Sequence, residues 1–518
     1  MKSSAELAQD GAPRLRLPKI CVAIQAGTPA EMVARAEAAL KDAKFLEFRL
    51  DSLPEPAAVL PQLKRFLATN ADVAAIATCR RKPNTGGFAG SLDEELSILL
   101  KAARAGCCVV DLEVESAEEA APAQLERFRS AVHKAGAALL VSFHDSSRTR
   151  GLEHAADRIT AFAPDFLKVV STAQTLADNL AVLRLIEERS ATSRVLGIAM
   201  GEDGLVSRVL GPRAGAAFTF ASFEDGTGTA PGQVTAKTMR TLYRADKLNA
   251  DTRVFGVAGH PIAHSLSPLL HNAAFQREGV NAVLLPLKTR TAADLLRLML
   301  ELPMSGCAVT MPLKVDVMAH LAGMDPLVER IGACNTLRVG GDLKVYGYNT
   351  DVAGVVRPLV KRLKLQGARI AVLGAGGAAR AAVFGLVDAG AEVFVINRTH
   401  EHAVTLAKAG KGHALKREQL TKQRFDVMIN STPCGMKGSA QALPIAENEL
   451  NAGLVFEMVY NPLESPLLKL AKSRGIATIN GLEMFVQQGA RQFEIWTGKT
   501  PPEAEMMRVV ERELKRRG

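Results

Sequence analysis

No hydrophobic run in the chain approaches the roughly 20 residues needed to cross a bilayer. Its first stretch, Met1 to Lys19, is polar and has none of the apolar segment of a secretory signal. A soluble, cytoplasmic protein with no membrane partner is expected. Cysteine is scarce and scattered: Cys21, Cys79, Cys107, Cys108, Cys307, Cys334 and Cys434 are odd in number and never fall in a C-x-x-C spacing. That argues against a disulfide framework, a zinc site or a redox pair, so buried thiols and no metal are expected. Compositional extremes are missing too. With 42 Gly and 24 Pro in 518 residues, 47% hydrophobic and 23% charged, the chain is not disordered, collagenous or coiled coil. A long basic block is also absent. The excess of 64 Lys+Arg over 54 Asp+Glu is mixed with acids along helical stretches such as Leu176 to Ser190. Anionic small substrates therefore fit the basic balance better than nucleic acid, which is not expected as a partner.

What is present is repetition. From Lys19 to about Leu248 a short apolar run is followed by an amphipathic helical stretch, again and again. The runs are Ile20–Gln25, Phe45–Leu50, Val73–Thr78, Cys108–Val114, Ala138–Phe143, Phe166–Val170, Val195–Met200 and Ala217–Ala221. Helical periodicity follows most of them, as in Glu31–Ala43 and Asp93–Ala105. Eight buried strands with crossover helices predict a (β/α)8 barrel, α/β in class, over residues 1–248. A polar stretch, Arg244 to Arg253, then links it to a second α/β half.

In a barrel the chemistry sits at the carboxyl ends of the strands. There the sequence places Glu47 and Arg49, Arg80, Asp111 and Glu113, His144 with Asp145, and Lys168 between Leu167 and Val169. A Lys enclosed by Phe166, Leu167, Val169 and Val170 should have its pKa lowered by desolvation, which makes a neutral amine available as a nucleophile. His144 on the neighbouring strand could then move a proton at neutral pH. Taken singly, Lys168 could instead be a lysine paired with Asp111 or Glu113, and His144 could cap a turn through Asp145. Their joint placement points to imine-forming lyase chemistry.

These residues, as Glu47-Phe-Arg49-Leu-Asp51, Thr78-Cys-Arg80, Ser142-Phe-His144-Asp145, Lys168, Met200 with Ser207-Arg208, and Thr229-Ala-Pro-Gly-Gln233, resemble the type I 3-dehydroquinate dehydratases over residues 20 to 245. The resemblance implies that Lys168 forms an imine with the substrate ketone and that His144 moves the adjacent proton. It implies that Arg208, Gln233 and Thr229, with Glu47, Arg49 and Arg80, hold the carboxylate and hydroxyl groups. Two departures stand out. Asn84-Thr85 precede Gly86-Gly87 where the family usually has Glu, and Ile198 replaces a second Met before Met200. The missing Glu could change how His144 is oriented, so an altered rate rather than lost activity is expected.

In the second half, Gly374-Ala-Gly376-Gly-Ala-Ala379 follows the apolar run Ile370–Gly374 and opens a helical stretch, a turn that lets a pyrophosphate approach a helix N-terminus. The next apolar run, Glu392–Ile396, ends at Asn397-Arg398-Thr399 instead of an acid. An Arg there favours a 2′-phosphate, hence NADP. Upstream, Ser265 and Ser267 lie two apart in a turn-rich segment that could cradle a carboxylate or act only as an N-cap, while Lys314 and Asp351 taken singly read as surface residues.

The set as a whole resembles shikimate dehydrogenases over 252 to 518. It comprises His264-Ser265-x-Ser267-Pro268, Val309-Thr310-x-Pro312-x-Lys314, Ile331-Gly-Ala-Cys-Asn335-Thr336, Asn349-Thr-Asp351, the glycine turn, Asn397-Arg-Thr399, Asn430-Ser-Thr-x-x-Gly435-Met436 and Tyr460-Asn-Pro. By that resemblance Lys314 and Asp351 form the catalytic pair. Ser265, Ser267, Thr310, Asn335, Tyr460 and Gln488 bind substrate. Gly374, Ala375, Gly376, Gly377, Ala378, Asn397, Arg398, Thr399, Met458 and Gly481 bind NADP. It also implies a two-lobe dehydrogenase, with a substrate lobe at 252–350, a Rossmann-like lobe at 351–480 and final helices, 481–518, that return to the first lobe. Ala308 and Glu457 depart from the family's usual Asn or Ser and Asp. His271 and Trp496 read as structural. Together the halves imply dehydration of 3-dehydroquinate to 3-dehydroshikimate and its reduction to shikimate. The alternatives are a quinate-preferring, NAD-dependent second site or a regulator that binds these metabolites without turnover. Oligomeric state is not legible.

Overall fold

Eight short runs rich in Val, Ile, Leu, Ala and Phe become parallel strands because a strand covered on both faces must be apolar throughout. In the computed structural model, which describes residues 13, 15–84, 86–224, 226, 228 and 231–517, they are β1 (Ile20–Ile24), β2 (Phe45–Arg49), β3 (Ala74–Thr78), β4 (Val109–Glu113), β5 (Ala138–His144), β6 (Phe166–Thr172), β7 (Val195–Met200) and β8 (Thr219–Ser222). They pair in the order β7-β6-β5-β4-β3-β2-β1-β8, and among the described residues β7 and β8 form no ladder, so the eight-stranded barrel is nearly closed. The helical periodicities become Pro29–Ala39 and Leu92–Arg104, within a few residues of expectation.

Period-two alternation puts Phe45, Glu47 and Arg49 on one side of β2, Val109, Asp111 and Glu113 on one side of β4, and Phe166, Lys168 and Val170 on one side of β6. The lower positions, with Cys21, Ile76, Leu140, Phe218 and Phe220, make the apolar floor of the barrel. Ring centroids there lie 4.8 Å apart for Phe45–Phe218 and 5.9 Å for Phe166–Phe218. Each such pair contributes about 0.5–1.5 kcal/mol beyond area burial. The polar positions sit one layer above.

The chain divides into two compact units at Thr252/Arg253. The second carries two sheets. One runs β10-β9-β11-β13-β14-β12, from β9 (Arg253–Gly259), β10 (Ala282–Lys288), β11 (Met304–Val309), β12 (Gly323–Met324), β13 (Thr336–Val339) and β14 (Val345–Tyr348), with β13 antiparallel to both neighbours. The other is parallel throughout: β17-β16-β15-β18-β19-β20, from β15 (Arg369–Leu373), β16 (Glu392–Ile396), β17 (His413–Ala414), β18 (Phe425–Asn430), β19 (Ala452–Glu457) and β20 (Ala477–Ile479). Counted from β15 that is the dinucleotide-binding order 3-2-1-4-5-6, whose switch point between β15 and β18 opens a crevice at the strand ends. Helices Gly481–Thr497 and Glu503–Arg517 pack with the first sheet's core, where Phe493, Trp496, Met506 and Val510 join Phe255, Leu270 and Phe275.

Candidate active sites

At the carboxyl ends of the barrel strands a cleft of about 450 Å³ is lined by Glu47, Arg49, Arg80, His144, Lys168, Arg208 and Gln233, with Val170, Ile198, Met200 and Phe220 as its apolar wall. Every described residue expected at this site thus meets in one place, while Thr229, like the departing Thr85, lies outside the described residues.

The strand register decides the contacts. Lys168 on β6 pairs with Ser142 on β5, and Ser142 pairs with Glu113 on β4. The Lys168 ammonium, 4% exposed, donates to Asp111 Oδ2 at 2.8 Å, lies 3.8 Å from Glu47 Oε1 and sits 4.7 Å from the Phe220 ring centroid. This corrects one expectation. Burial does lower the Lys168 pKa, but Asp111 and Glu47 raise it, and the net displacement is upward. The resting lysine is an ammonium.

His144 Nε2 lies 2.8 Å from Arg80 Nη2, and its Nδ1 3.2 Å from Glu113 Oε2. A guanidinium can only donate, so Nε2 is the bare nitrogen and Nδ1 carries the proton toward Glu113. Burial, with the Arg80 and Lys168 charges behind it, holds His144 well below its ordinary pKa, so the imidazole is a neutral base at pH 7. Arg80 also pairs with Glu113 at 2.6 Å, and Ser142 Oγ donates to Asp111 at 2.6 Å and to Glu113 at 3.0 Å. Asp145, far from capping through His144, accepts from Ser147 and Arg148.

The remaining cations differ in their partners. Arg49 makes two bonds to Asp51, at 2.9 and 2.8 Å. Arg208 is 1% exposed, and among the described residues only the Pro231 carbonyl, at 3.5 Å, approaches its guanidinium. Burial pulls its pKa down to about 10. A buried guanidinium held this way is a receptor for an anion. Asp111 and Glu113 were visible in the sequence as inward charges on β4. The pair Lys168–Asp111 is one of the two partnerships the sequence allows, whereas the contact of His144 with Glu113 is not marked there, since it depends on reach across neighbouring strands.

In the second unit one larger cleft, about 1610 Å³ with its mouth, is lined by Ser265, Ser267, Thr310, Lys314, Asn335, Asp351, Tyr460 and Gln488, and by Ala378, Met458 and Gly481 from the expected nucleotide set. Lys314 Nζ donates to Asp351 Oδ2 at 2.6 Å, and Asn335 Nδ2 donates to Asp351 Oδ1 at 2.8 Å. Gln488 is turned to the Phe485 carbonyl at 3.0 Å. Glu457 proves to be a structural hub. It is buried, accepts from Asn430, the Val459 backbone and Ser465, and so fixes the segment that carries Met458 and Tyr460. Burial raises its pKa. Residues missed in the sequence are Gln492, Phe485 and Met484, which also line the cleft.

Gly374, Ala375, Asn397, Arg398 and Thr399 lie at the ends of β15 and β16, outside that lining. Gly374 has φ +112°, and an added methyl would meet Ser431 Oγ at 2.7 Å, so only glycine fits the turn. At Gly376 and Gly377 a methyl would meet nothing within 4 Å, which leaves the backbone N–H groups at the start of helix Gly377–Asp388 open to an anion. Arg398 is exposed and has no ion pair among the described residues. The residues present fit a dinucleotide with a 2′-phosphate.

Fold and sites define a two-centre enzyme, a lysine-based lyase in a barrel and a nucleotide-dependent oxidoreductase. Family models match in the same order: type I 3-dehydroquinase at residues 20–250, shikimate dehydrogenase substrate binding domain at 257–337, shikimate/quinate 5-dehydrogenase at 358–437 and shikimate 5′-dehydrogenase C-terminal domain at 481–511. The chain is 32% identical over 508 residues to the chloroplastic bifunctional 3-dehydroquinate dehydratase/shikimate dehydrogenase of Arabidopsis thaliana, covering 93% of this chain and 82% of that protein. It is 41% identical over 251 residues to the shikimate dehydrogenase (NADP(+)) of Maridesulfovibrio salexigens, 48% of this chain and 92% of that one. A solved shikimate 5-dehydrogenase of Thermus thermophilus, in complex with NADP(H) and shikimate, aligns at TM-score 0.47 and 34% identity over 50% of this chain and 99% of its own. The chain belongs to the bifunctional 3-dehydroquinate dehydratase/shikimate dehydrogenase family.

Proposed function

We propose that the first unit dehydrates 3-dehydroquinate to 3-dehydroshikimate through an imine on Lys168, and that the second reduces 3-dehydroshikimate to shikimate with NADPH. The observation that carries the reading is the meeting of Lys168, a neutral His144 and the anion-receptive Arg208 in one barrel cleft.

Lys168 Nζ first gives up a proton, and its lone pair adds to the substrate ketone carbon; the ketone oxygen leaves as water and an iminium remains. His144 Nε2 takes a proton from the adjacent carbon, and the C–H electron pair flows into the iminium to give an enamine. The enamine pair then expels the β-hydroxyl, which takes the proton back from His144 and departs as water. Hydrolysis of the new iminium frees the product and restores Lys168. Arg208 and Gln233, with Thr229, hold the carboxylate end, while Glu47, Arg49 and Arg80 contact the hydroxyls. Glu113 keeps His144 in the working tautomer.

In the second unit Ser265 and Ser267 take the substrate carboxylate, and Thr310, Asn335, Tyr460 and Gln488 take the ring substituents. Gly374 to Ala378, Asn397, Arg398, Thr399, Met458 and Gly481 would hold NADPH, which when bound supplies the hydride. Lys314 stabilises the oxyanion that develops on the ketone oxygen and protonates it, and Asp351 holds the ammonium in place. We assign residues 1–248 to the barrel, 252–350 to the substrate lobe, 351–480 to the nucleotide lobe and 481–518 to helices of the substrate lobe. A cytoplasmic location is proposed. Among the described residues no helix is long and apolar enough to cross a membrane.

The test is to mix the whole chain with 3-dehydroquinate and either NADPH or NADH and follow cofactor oxidation. Rapid oxidation of NADPH in preference to NADH is expected. Reduction of added 3-dehydroshikimate without reaction of 3-dehydroquinate would remove the barrel assignment, and silence with both substrates would remove both.

A further inference from the structure

Behind the Lys314–Asp351 pair, Asn335 is joined to Thr336, Gln492 and His271, polar side chains to which neither substrate nor cofactor gives a role. Asn335 Oδ1 accepts from the Thr350 backbone N–H at 2.8 Å. A backbone N–H can only donate, so the amide is fixed with its Nδ2 toward Asp351 Oδ1 at 2.8 Å. Thr336 Oγ1 donates to the same Asn335 Oδ1 at 2.8 Å and accepts from Gln492 Nε2 at 3.1 Å. Gln492 Nε2 also faces the Asn335 carbonyl, an obligate acceptor, at 3.4 Å. Its Oε1 is thereby turned to His271 Nε2, 3.0 Å away, which must carry a proton.

Every bond in this series donates in one direction, from His271 through Gln492, Thr336 and Asn335 to Asp351, whose other oxygen takes the Lys314 ammonium. Chains of aligned hydrogen bonds polarise one another in a dry interior, and this one ends on Asp351 Oδ1, whose orientation it fixes. Its far end is sealed. His271 and Gln492 are buried, and the His271 ring packs 4.9 Å from Trp496. His271 Nδ1 has no hydrogen-bond partner among the described residues, and burial lowers the imidazole pKa to about 4, so the ring stays neutral. Gly489 faces this region closely, since a methyl there would meet the Leu270 side chain at 2.8 Å and His271 Nε2 at 3.7 Å.

We propose that His271 and Gln492 are positioning residues of the reductase, acting through this one-way chain to hold the Asp351 side chain aimed at Lys314. The inference rests on the reading of Lys314 and Asp351 as the catalytic pair. His271→Phe keeps the ring against Trp496 but removes the donor, and Gln492→Glu keeps the shape but offers no proton to Thr336. Each should lower 3-dehydroshikimate reduction about tenfold in kcat, with the KM for NADPH unchanged. His271→Gln, whose amide N–H can replace Nε2–H, should recover most of the loss. Wild-type kcat in both donor-deleted variants overturns the proposal, as does a loss of kcat accompanied by equal loss of NADPH binding, or no recovery in His271→Gln. If His271→Phe does not fold, Gln492→Glu decides alone. Lys314→Ala separates the two levels: full reduction by that variant removes the catalytic pair itself, whereas its inactivity beside normal chain variants removes only the chain.

Discussion

Lys168 is held between opposing effects. Its apolar strand disfavours the ammonium, and Asp111 at 2.8 Å favours it. The sequence made the first legible, because Phe166, Leu167, Val169 and Val170 surround the lysine in the chain. It allows Asp111 or Glu113 as the lysine's partner but cannot decide whether or which one pairs, because Asp111 lies 57 residues away and two strands over. The lysine therefore starts protonated, and catalysis includes removing that proton. Lys168→Ala should abolish the adduct trapped by borohydride with 3-dehydroquinate and lower dehydration about a thousandfold or more, while reduction of 3-dehydroshikimate continues. Protein mass after borohydride treatment checks it, and an undiminished adduct would remove Lys168 from the mechanism. Arg208 teaches the same lesson: its type is readable, but its lack of a carboxylate partner among the described residues appears only when the fold is assembled.

At the scale of elements, helix Leu92–Arg104 was nearly placed by its periodicity, yet nothing in that pattern marks Glu95 as wholly buried. Glu95 Oε2 accepts from Ser116 at 2.7 Å and pairs with Arg81 at 3.0 Å, tying the segment after β3 to the helix after β4. Burial outweighs Ser116 and Arg81 and pushes the Glu95 pKa up to about 7 from an ordinary 4.5. The native carboxyl thus binds its proton more tightly than the unfolded chain does. That contribution to stability is complete below about pH 4.5 and lost as pH rises through about 7. Glu95→Gln cannot titrate. Between about pH 5 and about pH 8 wild type should therefore lose on the order of 2 kcal/mol of unfolding free energy relative to the variant. Denaturant unfolding of both proteins at the two pH values measures this, and parallel pH slopes would refute it.

For the whole molecule, two centres on one chain perform consecutive steps, so each can be silenced without the other. Lys168→Ala and Lys314→Ala should each fail to convert 3-dehydroquinate to shikimate with NADPH. An equimolar mixture should restore the conversion, because 3-dehydroshikimate made by one molecule diffuses to the next. Shikimate formation is the readout, and a silent mixture would contradict release of the intermediate into solution.

The sequence by itself determined the eight strands of the barrel, the glycine turn and its basic follower, and most of the polar groups that face the two clefts. Alternation, helical periodicity and turn chemistry are local properties written within a few residues. The tertiary structure alone decided which charges meet: Asp111 rather than Glu113 with Lys168, Glu113 with His144, Arg208 with no carboxylate among the described residues, and His271 linked through Gln492, Thr336 and Asn335 to Asp351. Ion pairs and hydrogen-bond chains join residues tens to hundreds of positions apart, and their direction and protonation follow from which donor comes within about 3 Å of which acceptor. Only packing sets that distance.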